Sequence, residues 1–256
     1  MESDLDLAGR VAVVTGGSRG IGAATCRLLA AHGARVACAA RDPAAVAALV
    51  GEIRASGGQA IGVAADCTRW EAIEDLRAEV ERALGPADLL AAFVGGDGAR
   101  VPVERMSEAA WRGVIDTNLT SAFLTVRSFL PGMILRRRGA IVTMASTAGR
   151  QAGGGPGASA AYGAAKAGVI MFTRQTAVEA GPSGVRINCV APSAIMTEAN
   201  LRRIPEATRQ EMTASFPLRR LGEPDDVARA AVFLLSDASA WITGVALDVT
   251  GGRVMA

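Results

Sequence analysis

Aromatic side chains are scarce in this chain, only 4% of 256 residues, and a single tyrosine, Tyr162, stands among them. A core so poor in rings must be built from Ala, Val, Leu and Ile, which suits a parallel sheet covered by helices on both faces. Lysine is as rare: Lys166 stands alone, and every other basic side chain apart from His32 is arginine. His32, in Ala30-Ala31-His32-Gly33, is the sole histidine, so no histidine cluster is present to hold a metal; the residue reads as a cation closing a helix. Cys26, Cys38, Cys67 and Cys189 are widely spaced in apolar contexts with no Cys-x-x-Cys pair, which fits buried free thiols in a reducing cytosol. No apolar run approaches the ~20 residues of a membrane span, and the acidic start Met1 to Asp6 lacks a signal-peptide pattern. With a net charge of +2 and its arginines scattered among acids, the chain has no basic stripe for nucleic acid. A soluble, cytoplasmic protein with neither nucleic-acid nor membrane partners is expected.

What is present is an alternation of strand and helix signals without a composition break, so the whole chain is read as one α/β domain. Val11 to Thr15 is an apolar strand that runs into Gly16-Gly17-Ser18-Arg19-Gly20-Ile21-Gly22 and then a helix from Ala23 to His32. Glycines between a strand and a helix allow a tight turn and let a pyrophosphate approach the free N–H groups of the helix start. Their spacing is Gly16-x-x-x-Gly20-x-Gly22, not the Gly-x-Gly-x-x-Gly of the common dinucleotide fingerprint. The second strand, Arg35 to Ala40, ends where an acidic residue would bond a ribose 2′-hydroxyl and an arginine would accommodate a 2′-phosphate. Here Ala40 and Arg41 occupy that end, with Arg19 approaching from the glycine turn; two guanidiniums without an opposing carboxylate favour NADP(H) over NAD(H). Asp42 is free to pair with Arg41 or to cap the helix from Pro43, the latter being favoured. Further strands run from Ala60 to Ala65, ending at Asp66-Cys67-Thr68; from Asp88 to Val94, ending at Gly95-Gly96; and from Ala140 to Ala145, delivering Ser146. Strand ends of this kind gather around one crevice in an open parallel sheet.

Tyr162 and Lys166 are four residues apart in an Ala/Gly-rich stretch, one helical turn, so both project from one face. A compact ammonium beside a phenol favours the phenolate, which would draw the tyrosine pKa down from about 10 toward neutrality, where proton transfer is efficient. Tyr162 is therefore read as a general acid/base and Lys166 as its tuner.

Taken together, these motifs resemble the short-chain dehydrogenase/reductase family along nearly the whole chain. The resemblance rests on Thr15-Gly16-x-x-x-Gly20-Ile21-Gly22, Asp66, Asn118, Ser146, Tyr162-x-x-x-Lys166, Asn188-Cys189-Val190-Ala191-Pro192, Arg220 to Ala228, Ile242-Thr243-Gly244 and Gly251-Gly252. It implies a single-domain, Rossmann-type doubly wound parallel sheet with helices on both faces. It also implies a metal-free reaction in which Tyr162 exchanges a proton with the substrate oxygen and Ser146 positions that oxygen. Lys166 would bind the nicotinamide ribose, and Asn118 would hold a relay water. Cofactor contacts would come from Gly16, Ser18, Arg19, Gly20, Ile21, Gly22, Arg41, Asp66, Cys67, Gly95, Tyr162, Lys166, Pro192, Ile195 and Thr197. Three positions depart from the family pattern. Ala92-Phe93-Val94-Gly95 stands where Asn-Asn-Ala-Gly is common, Ser193 where glycine usually follows the proline, and the stretch from Arg150 to Ser159 is long and without bulk. That last stretch is expected to border the substrate pocket.

A segment from Ser193 to about Pro217, amphipathic with Arg202, Arg203 and Arg209, is expected to form a substrate lid. The resemblance extends to β-ketoacyl-carrier-protein reductases and polyketide ketoreductases. Arg137 matches one of the two arginines those reductases use to dock a carrier, and Ser183 stands at the other. The expected partner is a small ketone or alcohol, free or carrier-bound. Reduction of a β-ketoacyl or polyketide-like ketone by NADPH competes with oxidation of a secondary alcohol such as a sugar or steroid; a non-catalytic dinucleotide sensor is the alternative of another class. A homotetramer is expected, through Phe123, Val126 and Leu130 on one helix, Val169 and Phe172 on another, and an apolar final strand region from Trp241 to Val249.

Overall fold

The wholly buried stretch Val11-Ala12-Val13-Val14-Thr15 forms strand β1 (Val11–Thr15), and the chain turns through the glycines into helix α1 (Gly20–Ala31), capped at its C-terminal end by His32. The computed structural model describes residues 5–98, 101–152 and 159–255. The alternation continues with β2 (Arg35–Ala40), α2 (Pro43–Ala55), β3 (Gln59–Ala64), α3 (Trp70–Leu84) and β4 (Leu89–Ala92). After it come α4 (Glu108–Ile115), α5 (Ser121–Arg136), β5 (Gly139–Met144), α6 (Ala160–Ala180) and β6 (Val185–Pro192). Two short helices, α7 (Glu198–Arg203) and α8 (Glu206–Ala214), precede α9 (Pro224–Leu235) and β7 (Ala246–Val249).

Among the described residues seven strands form one parallel sheet, in the order β3-β2-β1-β4-β5-β6-β7. Alternate side chains of β1 enter opposite cores, as the two-residue period of a strand requires. Ala12 and Val14 join Cys26 and Leu29 of α1, Leu49 of α2 and Ala231 of α9. Val11 and Val13 join Leu76 of α3, Phe129 of α5 and Ala177 of α6. The chain winds outward in one direction from β1 and in the other from β4, so the crevice beyond the carboxyl ends of these two neighbours is the switch point where ligands bind in such sheets. No helix among the described residues is long and apolar enough to cross a membrane.

Strand bounds shift slightly from those expected. β3 and β5 each begin and end one residue earlier, while β4 is shorter at both ends. Asp88 accepts the Val11 N–H on its carboxylate at 3.2 Å, and the Phe93 N–H is shared between the Thr15 hydroxyl at 3.2 Å and the Thr15 carbonyl at 3.3 Å. Helix α1 starts at Gly20, earlier than Ala23, because the glycine turn itself completes the first helical turn. The apolar final region narrows to β7, and Trp241 is fully exposed outside it.

Candidate active site

The turn between β1 and α1 leaves no room for side chains at one decisive point. A Cβ on Gly22 would lie 2.1 Å from the Gly16 carbonyl oxygen, so the turn closes this tightly only with glycine there. The N-terminus of α1 has no side-chain cap from Arg19 and no acidic residue in its first turn, which leaves its N–H groups and positive dipole end for an anion. Gly16, Ser18, Arg19, Gly20, Ile21 and Gly22 therefore form a cradle that fits a pyrophosphate. The Thr197 methyl comes within 3.0 Å of the Cβ position at Gly20, and Ile195 is buried and bridged to Gly222, so the chain leaving Pro192 at the end of β6 returns over this turn.

At the tip of β2 the expectation of two guanidiniums without an opposing carboxylate is corrected. Asp42 caps α2, accepting from Ala44 N and Ala45 N at 3.1 Å, and its other oxygen takes Arg19 at 2.7 Å. The partner is Arg19, not Arg41, because the cap fixes the carboxylate facing the glycine turn. Arg41 stays exposed, and its charge is felt at Asp66 and Cys67 of the neighbouring strand tip. Asp66 is held below the usual carboxylate range, chiefly by the Thr68 hydroxyl and N–H, at 2.8 and 3.1 Å. Cys67 turns into a small apolar cluster with Ile73 and Leu124, and burial pushes its thiol up to about 12, so any cofactor contact from this residue is left to its backbone.

The residues expected to react meet beyond β4 and β5. A single π-helical turn, Asp116–Thr120, interrupts the passage from α4 to α5, a distortion frequent at functional sites. It carries the buried Asn118, whose amide donates to Val114 O and Gly96 O at 2.9 and 2.8 Å while its oxygen accepts from Gly96 N at 3.1 Å. This grip fixes the loop after β4. A Cβ on Gly95 would stand 2.9 Å from Asn118 Oδ1 and 3.1 Å from Lys166 Nζ, so only a bare backbone lets the amide and the ammonium converge. Lys166 is 2% exposed and donates to Met144 O at 2.8 Å. Ser146 follows β5, its hydroxyl accepting from Ala148 N at 3.2 Å. Tyr162 lies in the first turn of α6, where Ser159 caps the helix by accepting from Tyr162 N at 3.2 Å.

Tyr162 and Lys166 share a face as their spacing predicts, with Nζ 5.6 Å from the ring centroid. The expected lowering of the phenol pKa is corrected by this arrangement. Burial raises it above 10.0, hydrogen bonding with Ser146 pulls back only part of the way, and the negative charge of Asp97 raises it further. The ammonium sits over the ring, bonded to Met144 O, and burial lowers its own pKa to about 8.

Arg150, Gln151, Ala152 and Ser159 line a cavity with Ala160 and Gly163 at the start of α6, while the Arg150 fork crosses to β7, donating to Asp248 at 2.9 Å and to Ala246 O; residues 153–158 lie outside the described part of the chain. One further expectation is corrected. Val126 and Val169 are completely buried core residues, which leaves Phe123 at 42% exposure and the half-buried Phe172 edge-to-face beside it on the outer surface. Sequence reasoning missed Ser159, whose signal is a serine three residues before Tyr162 at a helix start, and Asp97, which follows the Gly95-Gly96 pair.

Residues 16–253 match a family model described as enoyl-(acyl carrier protein) reductase. A 3-oxoacyl-[acyl-carrier-protein] reductase of Vibrio cholerae is 37% identical, over 98% of this chain and 100% of its own length. A cis-4-hydroxycyclohexanecarboxylate dehydrogenase of Sinomonas cyclohexanicum is 39% identical, over 95% of this chain and 96% of its own. Among solved structures, a 7α-hydroxysteroid dehydrogenase complexed with NADH and 7-oxo glycochenodeoxycholic acid superposes with a TM-score of 0.93 at 33% identity, covering 100% of this chain and 99% of its own. On the fold, the glycine turn and these likenesses, the chain belongs to the short-chain dehydrogenase/reductase family of oxidoreductases.

Proposed function

We propose that this protein is an NADPH-dependent ketone reductase, acting on a β-ketoacyl or polyketide-like compound and yielding a secondary alcohol. The observation that carries this reading is the convergence of Tyr162 and Lys166 on one face of α6 beside the Gly95 backbone: a protonated phenol there can give its proton to an oxygen that becomes an alkoxide. Ser146 stands beside it to hold the same oxygen, and the two donors oppose the developing negative charge. Lys166 fits a ribose hydroxyl, since its buried ammonium gives one N–H to Met144 O and an ammonium carries three donors. Asn118 fixes the loop bearing Gly95 and would hold a water that links Lys166 to solvent. The bound nicotinamide supplies the hydride.

The second reading is oxidation of a secondary alcohol, which the likeness to a cis-4-hydroxycyclohexanecarboxylate dehydrogenase favours. A non-catalytic sensor has no use for the assembled Asn118, Ser146, Tyr162 and Lys166. Purified protein with NADPH and a panel of ketones, followed at the nicotinamide absorbance, tests the proposal. Consumption with a β-ketoester is expected, and a flat trace on every ketone would overturn it.

Preference for NADP(H) rests on Arg41, with no carboxylate at Ala40, now that Arg19 is shared with Asp42. Arg41→Ala is expected to lower the preference by about 1.5–3 kcal/mol, the range of a hydrogen bond to a charged group. Equal use of NADH by the wild type would contradict this.

We also propose a homotetramer. Phe123, Leu135, Met171 and Val178 expose apolar surface on the outer sides of α5 and α6, and β7 is an edge strand. Self-complementary contacts at these surfaces close with two-fold symmetry. Light scattering at micromolar concentration should return four times the chain mass; a monomer mass would show the assignment to be wrong.

A further inference from the structure

Arg203, the last residue of α7, places Nη1 2.6 Å from Asp97 Oδ2, although the two lie 106 residues apart in sequence. Its second nitrogen donates to Asn200 Oδ1 at 2.8 Å, and the Asn200 amide donates in turn to Ile195 O at 2.7 Å. The guanidinium is thus held from behind by the segment that follows β6. On the opposite side, Asp97 comes directly after Gly95-Gly96, which Asn118 grips and against which Lys166 rests. Its charge reaches Tyr162. Both side chains are half-exposed, so the pair stands at the water boundary and joins α7 to the loop after β4 that Asn118 grips.

We propose that Asp97 and Arg203 form a charge gate that selects substrates at the mouth of the cleft, admitting neutral ketones and discriminating against those with a carboxylate beside the reacting carbonyl. The inference rests on the reading of Ser146 and Tyr162 as the reacting site. A carboxylate entering here meets the like charge of Asp97, and it reaches a cation only by drawing Arg203 away from its present partner. A neutral ketone does neither. A half-exposed ion pair contributes little to stability, so its main consequence lies in selectivity.

Ethyl acetoacetate and acetoacetate are a matched neutral and anionic pair of probes. With NADPH, Asp97→Asn should raise the ratio of kcat/KM for acetoacetate over ethyl acetoacetate by about tenfold, mostly through KM, the size of one charge-assisted contact. Arg203→Gln should move the ratio in the opposite sense by a similar factor. Ratios unchanged within about twofold in both variants, with the neutral ketone still reduced, would overturn the gate. Binding of the same probes to the NADPH complex, followed by ligand-observed NMR, carries the comparison without turnover. Opposite movements of the affinity ratio support the gate and an unmoved ratio overturns it, whereas loss of turnover on both ketones in the wild type counts against the reductase reading alone.

Discussion

Tyr162→Phe is expected to lower kcat by about 10²- to 10⁴-fold, the usual contribution of a positioned general acid, while NADPH affinity changes little. The ring remains to pack against the Lys166 ammonium and only the oxygen is lost, so the effect isolates proton transfer. The pH dependence follows from the raised phenol. Ketone reduction uses the protonated form, so its rate should be level through neutrality and fall as pH climbs through the raised pKa. Alcohol oxidation uses the phenolate and should rise across the same alkaline window. Steady-state rates in both directions check this, and a phenylalanine variant with near-normal turnover would remove Tyr162 from the mechanism.

The parts of the site that were legible in the sequence are those whose physics is local. The turn from Val11 to Gly22 was readable because strand, glycine and helix signals are contiguous, and Tyr162 with Lys166 because helical spacing alone sets their common face. What was misread depends on where side chains from distant segments end up. In the sequence Arg19 reads as approaching a phosphate, yet the cap that Asp42 makes on α2 brings a carboxylate to it. Charge alone predicts that Lys166 lowers the Tyr162 pKa, whereas depth in the fold governs both groups and moves their pKa values in opposite directions. Val126 and Val169 share helical faces with more exposed apolar neighbours, so periodicity could not separate an outer contact from the core. The pairing of Asp97 with Arg203 spans 106 residues and leaves no local mark at all.

Lys166→Met should remove nearly all turnover, and it should also expose what the wild-type chain gives up to keep an ammonium in its interior. The native lysine releases its proton at about 8 and the unfolded one near 10.5. Between these values the unfolded chain binds more protons than the native one, so raising the pH favours the native state there. Below that window the native chain carries the full cost of the buried charge; above it the cost is gone. The wild type should therefore gain about 3 kcal/mol relative to the methionine variant between pH 7 and pH 11, at 1.36 kcal/mol for each unit of pKa difference. Taking the difference between the two proteins cancels the opposing titration of buried thiols remote from Lys166, such as Cys67, which burial raises to about 12. Denaturant unfolding of both proteins at several pH values measures it. A constant difference across the range would mean that Lys166 keeps its ordinary pKa in the native chain and that its ammonium bears no cost of burial, which would overturn the lowered value; a gain well above about 3 kcal/mol would mean that Lys166 is already neutral at pH 7.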